Sequence, residues 1–171
     1  MRPSMRFAIL ALAVPVAALA PASVQPRDSK AAMGQTPSVG QGGAIEARFN
    51  NYDAAFNAKD LEKLATFYHS EVTVYEGGGT NNGWVDYRDR HLGPELKSFE
   101  NLQFSHSTVR ATVLGDGSAA YVTANYTLKA KMGERDIDSG GLATYVLIKG
   151  ADGAWKIRHS HTSSRARRPQ A

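Results

Sequence analysis

The second half of the chain narrows most what it can become. Residues 102–164 fall into four strand-length segments with a short turn between each pair. LQFSHSTVRATVL runs to Gly115-Asp116-Gly117, SAAYVTANYTLKAKM to GERD, DSGGLATYVLIKG to ADG, and AWKIRHSHTSS closes the series. Glycine-containing turns of this kind join antiparallel neighbours, so the segments predict a meander. A sheet of that size must cover one face, and the cover lies upstream. Ile45, Phe49, Tyr52 and Phe56 recur at helical spacing in AIEARFNNYDAAFNAKD and form one apolar stripe. Asp60 caps a second short helix, LEKLATFYHS, with Leu61, Leu64 and Phe67 or Tyr68 inward. EVTVYE reads as a strand by its β-branched content, and GGGTNNG as a loop. WVDYRDRHLGPELKSFEN is a weaker helical stretch that kinks or restarts at Gly93-Pro94. About three helices followed by an antiparallel sheet is an α+β layout, with helices packed on one sheet face.

The 171 residues suffice for one domain. The start, MRPSMR followed by FAILALAVPVAALA and Ala20-Pro21-Ala22, has the basic, apolar and small-x-small parts of a secretory signal. Residues 1–22 are therefore expected to be cleaved, placing the mature chain in the periplasm or outside the cell, with no membrane association afterwards. Residues 23–43, rich in Gly, Pro, Ser and Gln, are expected to be a flexible linker. The domain is expected over 44–165, and 166–171 as a basic, disordered tail. Without residues 1–22, 18 basic side chains stand against 16 acidic ones. That small excess, partly in the tail, does not make the clustered basic face that nucleic acid needs. The absence of cysteine excludes disulfides, thiol catalysis and cysteine-based zinc sites.

Parity along the strands selects the candidate site. Glu76 shares the inward side with Val72 and Val74, near the end of its strand. Tyr52 lies between Phe49 and Phe56 on the helical stripe. His159 and His161 follow Trp155 and Ile157 at alternate positions, so strict alternation points both imidazoles inward. The outward face of that strand then reads Lys156, Arg158, Ser160, Thr162, Ser164, too polar for a large dry interface. Inward Glu and His cost free energy unless they are paired, and a cavity between sheet and helices would collect them. His91 is expected at the surface, and His106 is left unassigned. The His-x-His spacing is compatible with zinc but is a two-residue pattern; no metal and no cofactor are expected.

At these residues the chain resembles the nuclear transport factor two-like superfamily, which includes ketosteroid isomerases, SnoaL-like polyketide cyclases and the association domain of calcium/calmodulin-dependent protein kinase II. NNYDAAFNAKDLEKLATFYHSEVTVYE is similar to the superfamily's opening, and WKIRHSHTS is similar to the close of the kinase association domain. GWVDYRDRHL resembles stand-alone bacterial members. The likeness spans about residues 44–165 and implies a cone-shaped curved sheet over the helices. It implies that Glu76 stands where ketosteroid isomerases carry their base and Tyr52 where they carry an oxyanion-hole tyrosine. Their second donor is a protonated Asp; here Thr144, Tyr145 or Val146 falls at that place, with no carboxylate.

The function expected first is binding of a small, partly apolar molecule by Tyr52, Glu76, Tyr145, His159 and His161. The alternative is an acid–base enzyme of the isomerase, cyclase or dehydratase type, with Glu76 as base and Tyr52 with His159 or His161 as catalytic donors. The third is an oligomerisation module. A homodimer is implied by the resemblance in any of these cases.

Overall fold

The computed structural model describes residues 39–166. The elements in order are α1 (Val39–Asn57), α2 (Leu61–Ala65), β1 (Tyr68–Glu76), β2 (Gly79–Asn82), α3 (Trp84–Tyr87), a π-helical turn (Arg88–Leu92) and α4 (Gly93–Ser98). Four long strands follow: β3 (Glu100–Leu114), β4 (Ala119–Met132), β5 (Arg135–Lys149) and β6 (Trp155–Ala166). The expected leader, the linker up to residue 38 and the end of the tail lie outside the described residues. Residues 39–43, expected in the linker, open α1 instead.

The six strands form one sheet in the order β2-β1-β6-β5-β4-β3. β3 to β6 make the expected antiparallel meander. β1 pairs with β6 in parallel, so the sheet is mixed rather than wholly antiparallel. The helices between β2 and β3 carry the chain from one sheet edge to the other. One face of the sheet meets the helices in a core that includes Ile45, Phe49, Leu64, Val72, Leu92, Leu96, Val122 and Leu147. Each fully buried aliphatic side chain of this kind contributes about 1.5–3 kcal/mol.

Local chemistry accounts for the details. The stretch expected as a loop after β1 is a hairpin: Glu76 pairs with Gly79 across Gly77-Gly78, whose φ values are 59° and 82°. Two successive positive φ angles define the tight turn that suits the twist of its strands, and glycine adopts them freely. Asp60 caps α2 as expected, its carboxylate accepting from Lys63 N at 2.8 Å. The helical stretch does not break at Gly93-Pro94. Its ladder widens, so Gly93 N–H reaches the Arg88 carbonyl five residues back. Pro94 has no N–H to give and its ring crowds the preceding turn, which the wider π turn accommodates.

α1 lies along β3, the last strand of the sheet. Asn57 Nδ2 donates to Phe104 O and Asn57 Oδ1 accepts from Phe104 N, both at 2.7 Å. Asp53 Oδ2 accepts from His106 N at 2.8 Å, and Glu46 Oε1 from Ala111 N at 3.2 Å. Three helix side chains thus take the place of a seventh strand, satisfying backbone groups that β4 does not reach.

β6 is not regular. Leu147 pairs with Ile157, but Val146 pairs with His159, so Arg158 is an extra residue in the strand. Such a bulge reverses the inward–outward alternation beyond it. The Arg158 guanidinium leaves the ladder and donates to the Glu71 carbonyl.

Candidate functional site

The concave sheet face, α1 and the α3–α4 segment enclose a cavity of about 530 Å³ including its open mouth, with an inner part of about 40 Å³. The inner part has room for roughly three waters. A ligand as large as one ring therefore occupies the mouth as well, or displaces side chains. The apolar lining is Phe56, Leu92, Phe99, Phe104 and Leu128; the polar lining is Tyr52, Tyr68, Glu76, Tyr87, Glu95, Tyr126, Tyr145, Ser160 and Thr162. No lysine or arginine lines it.

One wall is built on Asp53, His106 and Tyr145. Asp53 Oδ1 lies 2.6 Å from His106 Nδ1, and His106 Nε2 lies 2.6 Å from the Tyr145 hydroxyl. The imidazole keeps 1% of its side-chain surface exposed and stands edge-on to Phe49 and Phe104. A carboxylate only accepts, so the proton of this first bond sits on Nδ1. With a neutral ring Tyr145 donates to Nε2 and offers its oxygen to the cavity. With a charged ring Nε2 donates, and the Tyr145 hydrogen is free to point at a ligand. Burial holds the Tyr145 hydroxyl well above the usual phenol range.

The mouth is built on Glu76, His91 and Glu95. His91 Nδ1 lies 2.8 Å from Asn81 Oδ1, whose amide nitrogen donates to Asp86 Oδ2 at 3.2 Å. That partner orients the amide, so His91 Nδ1 carries a proton. Nε2 faces Glu95 Oε1 at 3.5 Å and Glu76 Oε2 at 3.9 Å. The Glu95 hydrogen bond first, and then the charges of Glu76 and Glu95, raise the His91 pKa against the opposing effect of burial. Glu76 moves the same way for a different reason. Burial pushes its carboxyl up and Glu95 adds to the rise, while His91 and a Tyr87 hydrogen bond oppose it. Its side chain keeps 35% of its surface open, so protein crowds the carboxyl without sealing it from water.

Tyrosines connect the two. The Tyr52 and Tyr68 hydroxyls are 2.6 Å apart, and the Tyr68 hydroxyl also approaches that of Tyr87. Burial raises all three above the ordinary phenol value, so they remain protonated donors.

The structure places Tyr52, Glu76 and Tyr145 on the cavity. It corrects His159 and His161. The Arg158 bulge turns both outward and puts Ser160 and Thr162 in their place. His159 Nδ1 lies 2.7 Å from Thr73 Oγ1, and both rings stand edge-on to the exposed Tyr75. Burial, then His161 and Arg158, hold His159 below the ordinary imidazole value. The outer side of β6 beyond the bulge therefore carries His159, His161 and Ser163 in place of the expected Ser160 and Thr162, and Tyr75, Tyr121, Leu142 and Val146 are exposed on the other strands. His91, expected at the surface, keeps 22% of its side chain exposed and stands beside the mouth, facing Glu76 and Glu95. Asp53, Tyr68, Tyr87 and Tyr126 join the site unexpectedly, and His106, left unassigned from the sequence, belongs to its wall. For most of them the signal was present: Asp53 is four residues after Phe49 on the inward stripe, and His106 follows Leu102 and Phe104 at alternate positions. Among the described residues no group of three His, Cys, Asp or Glu side chains is arranged to hold a metal ion.

Comparison with known proteins agrees with this architecture. The SnoaL-like domain profile matches residues 45–167. A proposed ketosteroid isomerase from Shewanella frigidimarina has a similar structure, with 27% identity and a TM-score of 0.59 over 71% of this chain and 94% of that one. A nuclear transport factor 2-like protein from Salmonella enterica gives 18% identity and a TM-score of 0.64 over 73% and 91%. A proposed scytalone dehydratase from Novosphingobium aromaticivorans gives 18% and 0.61 over 75% and 89%. No curated protein matches in sequence.

Proposed function

The chain belongs to the SnoaL-like domain family, and on that premise we propose that its cavity performs general acid–base chemistry on a small uncharged carbonyl compound, of the isomerase or dehydratase kind. One observation carries this over simple ligand retention. A carboxyl raised by its surroundings, Glu76, lines the same small cavity as a tyrosine, Tyr145, held by a buried His106–Asp53 pair. Ligand retention alone does not call for a base and a hydrogen-bond donor in one apolar space. The absence of lysine and arginine from the lining disfavours anionic substrates.

In this reading Glu76 takes a proton from the carbon beside the carbonyl. The C–H electron pair becomes the new C=C bond as the carbonyl π pair moves to oxygen, and, with the His106 ring charged and donating to Tyr145, the enolate accepts a hydrogen bond from the Tyr145 hydroxyl. The proton then passes from Glu76 to another carbon, or to a hydroxyl β to the carbonyl, which leaves as water as the C=O bond re-forms. Tyr145 occupies the place where the family resemblance leaves no second carboxylic acid.

The test uses 5-nitrobenzisoxazole, an uncharged ring whose C3–H proton is removed by a base as its N–O bond opens to a coloured phenolate. The native chain should turn it over above the buffer rate, and Glu76→Gln should lose at least about a hundredfold, the contribution of a positioned base. No acceleration by the native chain, or equal rates for the two proteins, would falsify the proposal.

A further inference from the structure

Beyond the bulge, β6 presents two hydroxyl side chains to the cavity, Ser160 and Thr162. Ser160 is 4% exposed. Thr162 Oγ1 is buried and makes no hydrogen bond. The Tyr126 hydroxyl approaches Thr162 and Ser164, but its approach to Thr162 Oγ1 falls short of hydrogen-bond geometry, and that oxygen stays unpartnered. A buried hydroxyl left without a partner is costly. Thr162 lines the cavity, and a ligand that displaces its neighbours there would give Oγ1 the partner it lacks. Its position is set by register. Ser160 stands opposite Tyr145 on β5, and Thr162 stands opposite Ala143, two residues further toward the Tyr75–His161 step where β1 runs beside β6. The backbone positions of Tyr145 and Thr162 are thus offset by about 7 Å along the strand direction, and Phe56 and Phe104 line the same cavity.

We infer that the β6 wall is a second polar subsite, and that the ligand is a small ring bearing two oxygen functions, one met by Tyr145 and the other a hydroxyl met by Thr162. This rests on the reading of the cavity as the ligand site, and it adds the substrate class. A ligand hydroxyl at Thr162 can donate to Oγ1 or accept from it, so the subsite takes an uncharged group in either role. A carboxylate or phosphate would stand in a cavity that offers no cationic partner other than His91, which already faces Glu76 and Glu95.

The probes are phenol, resorcinol and hydroquinone, with affinities measured by titration calorimetry. The native chain should bind at least one of the two diphenols about tenfold more tightly than phenol, the worth of one good hydrogen bond. Thr162→Val should abolish that preference while leaving phenol within about twofold; Thr162→Ser, which keeps the hydroxyl, should retain it. The inference is overturned if the native chain binds phenol and both diphenols equally, if it binds none of them, or if Thr162→Val keeps the preference. The comparison on the native chain stands even if the valine variant fails to fold. 5-Nitrobenzisoxazole carries no hydroxyl and reads Glu76 separately. Loss of its turnover with the diphenol preference intact removes the acid–base reading alone, and the reverse result removes the subsite alone.

Discussion

β3 and β6 begin with the same pattern and end differently. In β3, Leu102 and Phe104 lead at alternate positions to His106; in β6, Trp155 and Ile157 lead to His159. His106 is buried between Asp53 and Tyr145, whereas His159 stands on the outer face beside Tyr75. The ladder explains the difference. β3 slips against β4 before Gln103 and again after Ser107 but pairs in step between them, so alternation holds from Phe104 to His106. β6 slips one residue before His159. Alternation therefore carries a side chain's direction only as far as the next bulge. The chemistry of the cavity follows: the wall expected to hold two imidazoles holds two hydroxyls, and the imidazole of the interior comes from the opposite edge of the sheet.

The contrast can be broken at its strongest point first. The second half of β6 lies so close to β5 that a Cβ on Gly141 would stand 1.7 Å from the Ser163 carbonyl oxygen. Gly141→Ala should cost more than about 4 kcal/mol or leave no folded protein, since backbone must move to admit the methyl group. An unchanged urea midpoint would mean that the β5–β6 ladder is looser than its register. Next, Asp53→Ala strands the His106 ring N–H and backbone N–H together, and should cost about 3 kcal/mol in urea unfolding. His159→Ala, which loses one hydrogen bond to Thr73 at the surface, should cost less than about 1 kcal/mol. Equal losses would erase the distinction between the two histidines.

The smallest effect is a pH dependence. The Glu76 carboxyl is raised on folding, so its contribution is fully present below the ordinary value of 4.5 and is lost as pH climbs through the raised one. His91 has the same sign, starting from 6.5. Glu76→Gln should therefore gain on the native chain in Tm as pH rises from about 4 to 7, by on the order of a degree because the side chain is partly open. A Tm difference that stays constant across that range would show that Glu76 ionises as an ordinary carboxylate.

Much of the fold was legible because long elements repeat their signal. The α1 stripe, the Asp60 cap and the four meander strands each rest on several residues. What stayed hidden depends on single insertions or on partners distant in sequence. Arg158 is one extra residue in a strand whose residue types suit either face. The π turn at Gly93 and the parallel pairing of β1 with β6 have no local pattern of their own. Within the cavity, Tyr52 and Glu76 could be placed because helical spacing or unbroken alternation reaches them, whereas Tyr145 entered through the family resemblance as one of three neighbouring candidates. Asp53 and His106 carried the same kind of signal, but a polar residue on an apolar stripe reads as an exception until its partner is known, and theirs is 53 residues away.

The side chains that α1 lays along β3 have a consequence for how the protein behaves in a crowded solution. An exposed strand border is a template on which another molecule can add its own strand. Asn57, Asp53 and Glu46 already occupy donors and acceptors along that border. The opposite border, β2, offers only four residues, Gly79 to Asn82. Both routes to end-on sheet growth, and so to fibre formation, are restricted, and self-association is left to the broad outer face around Tyr75, Tyr121, Leu142 and Val146.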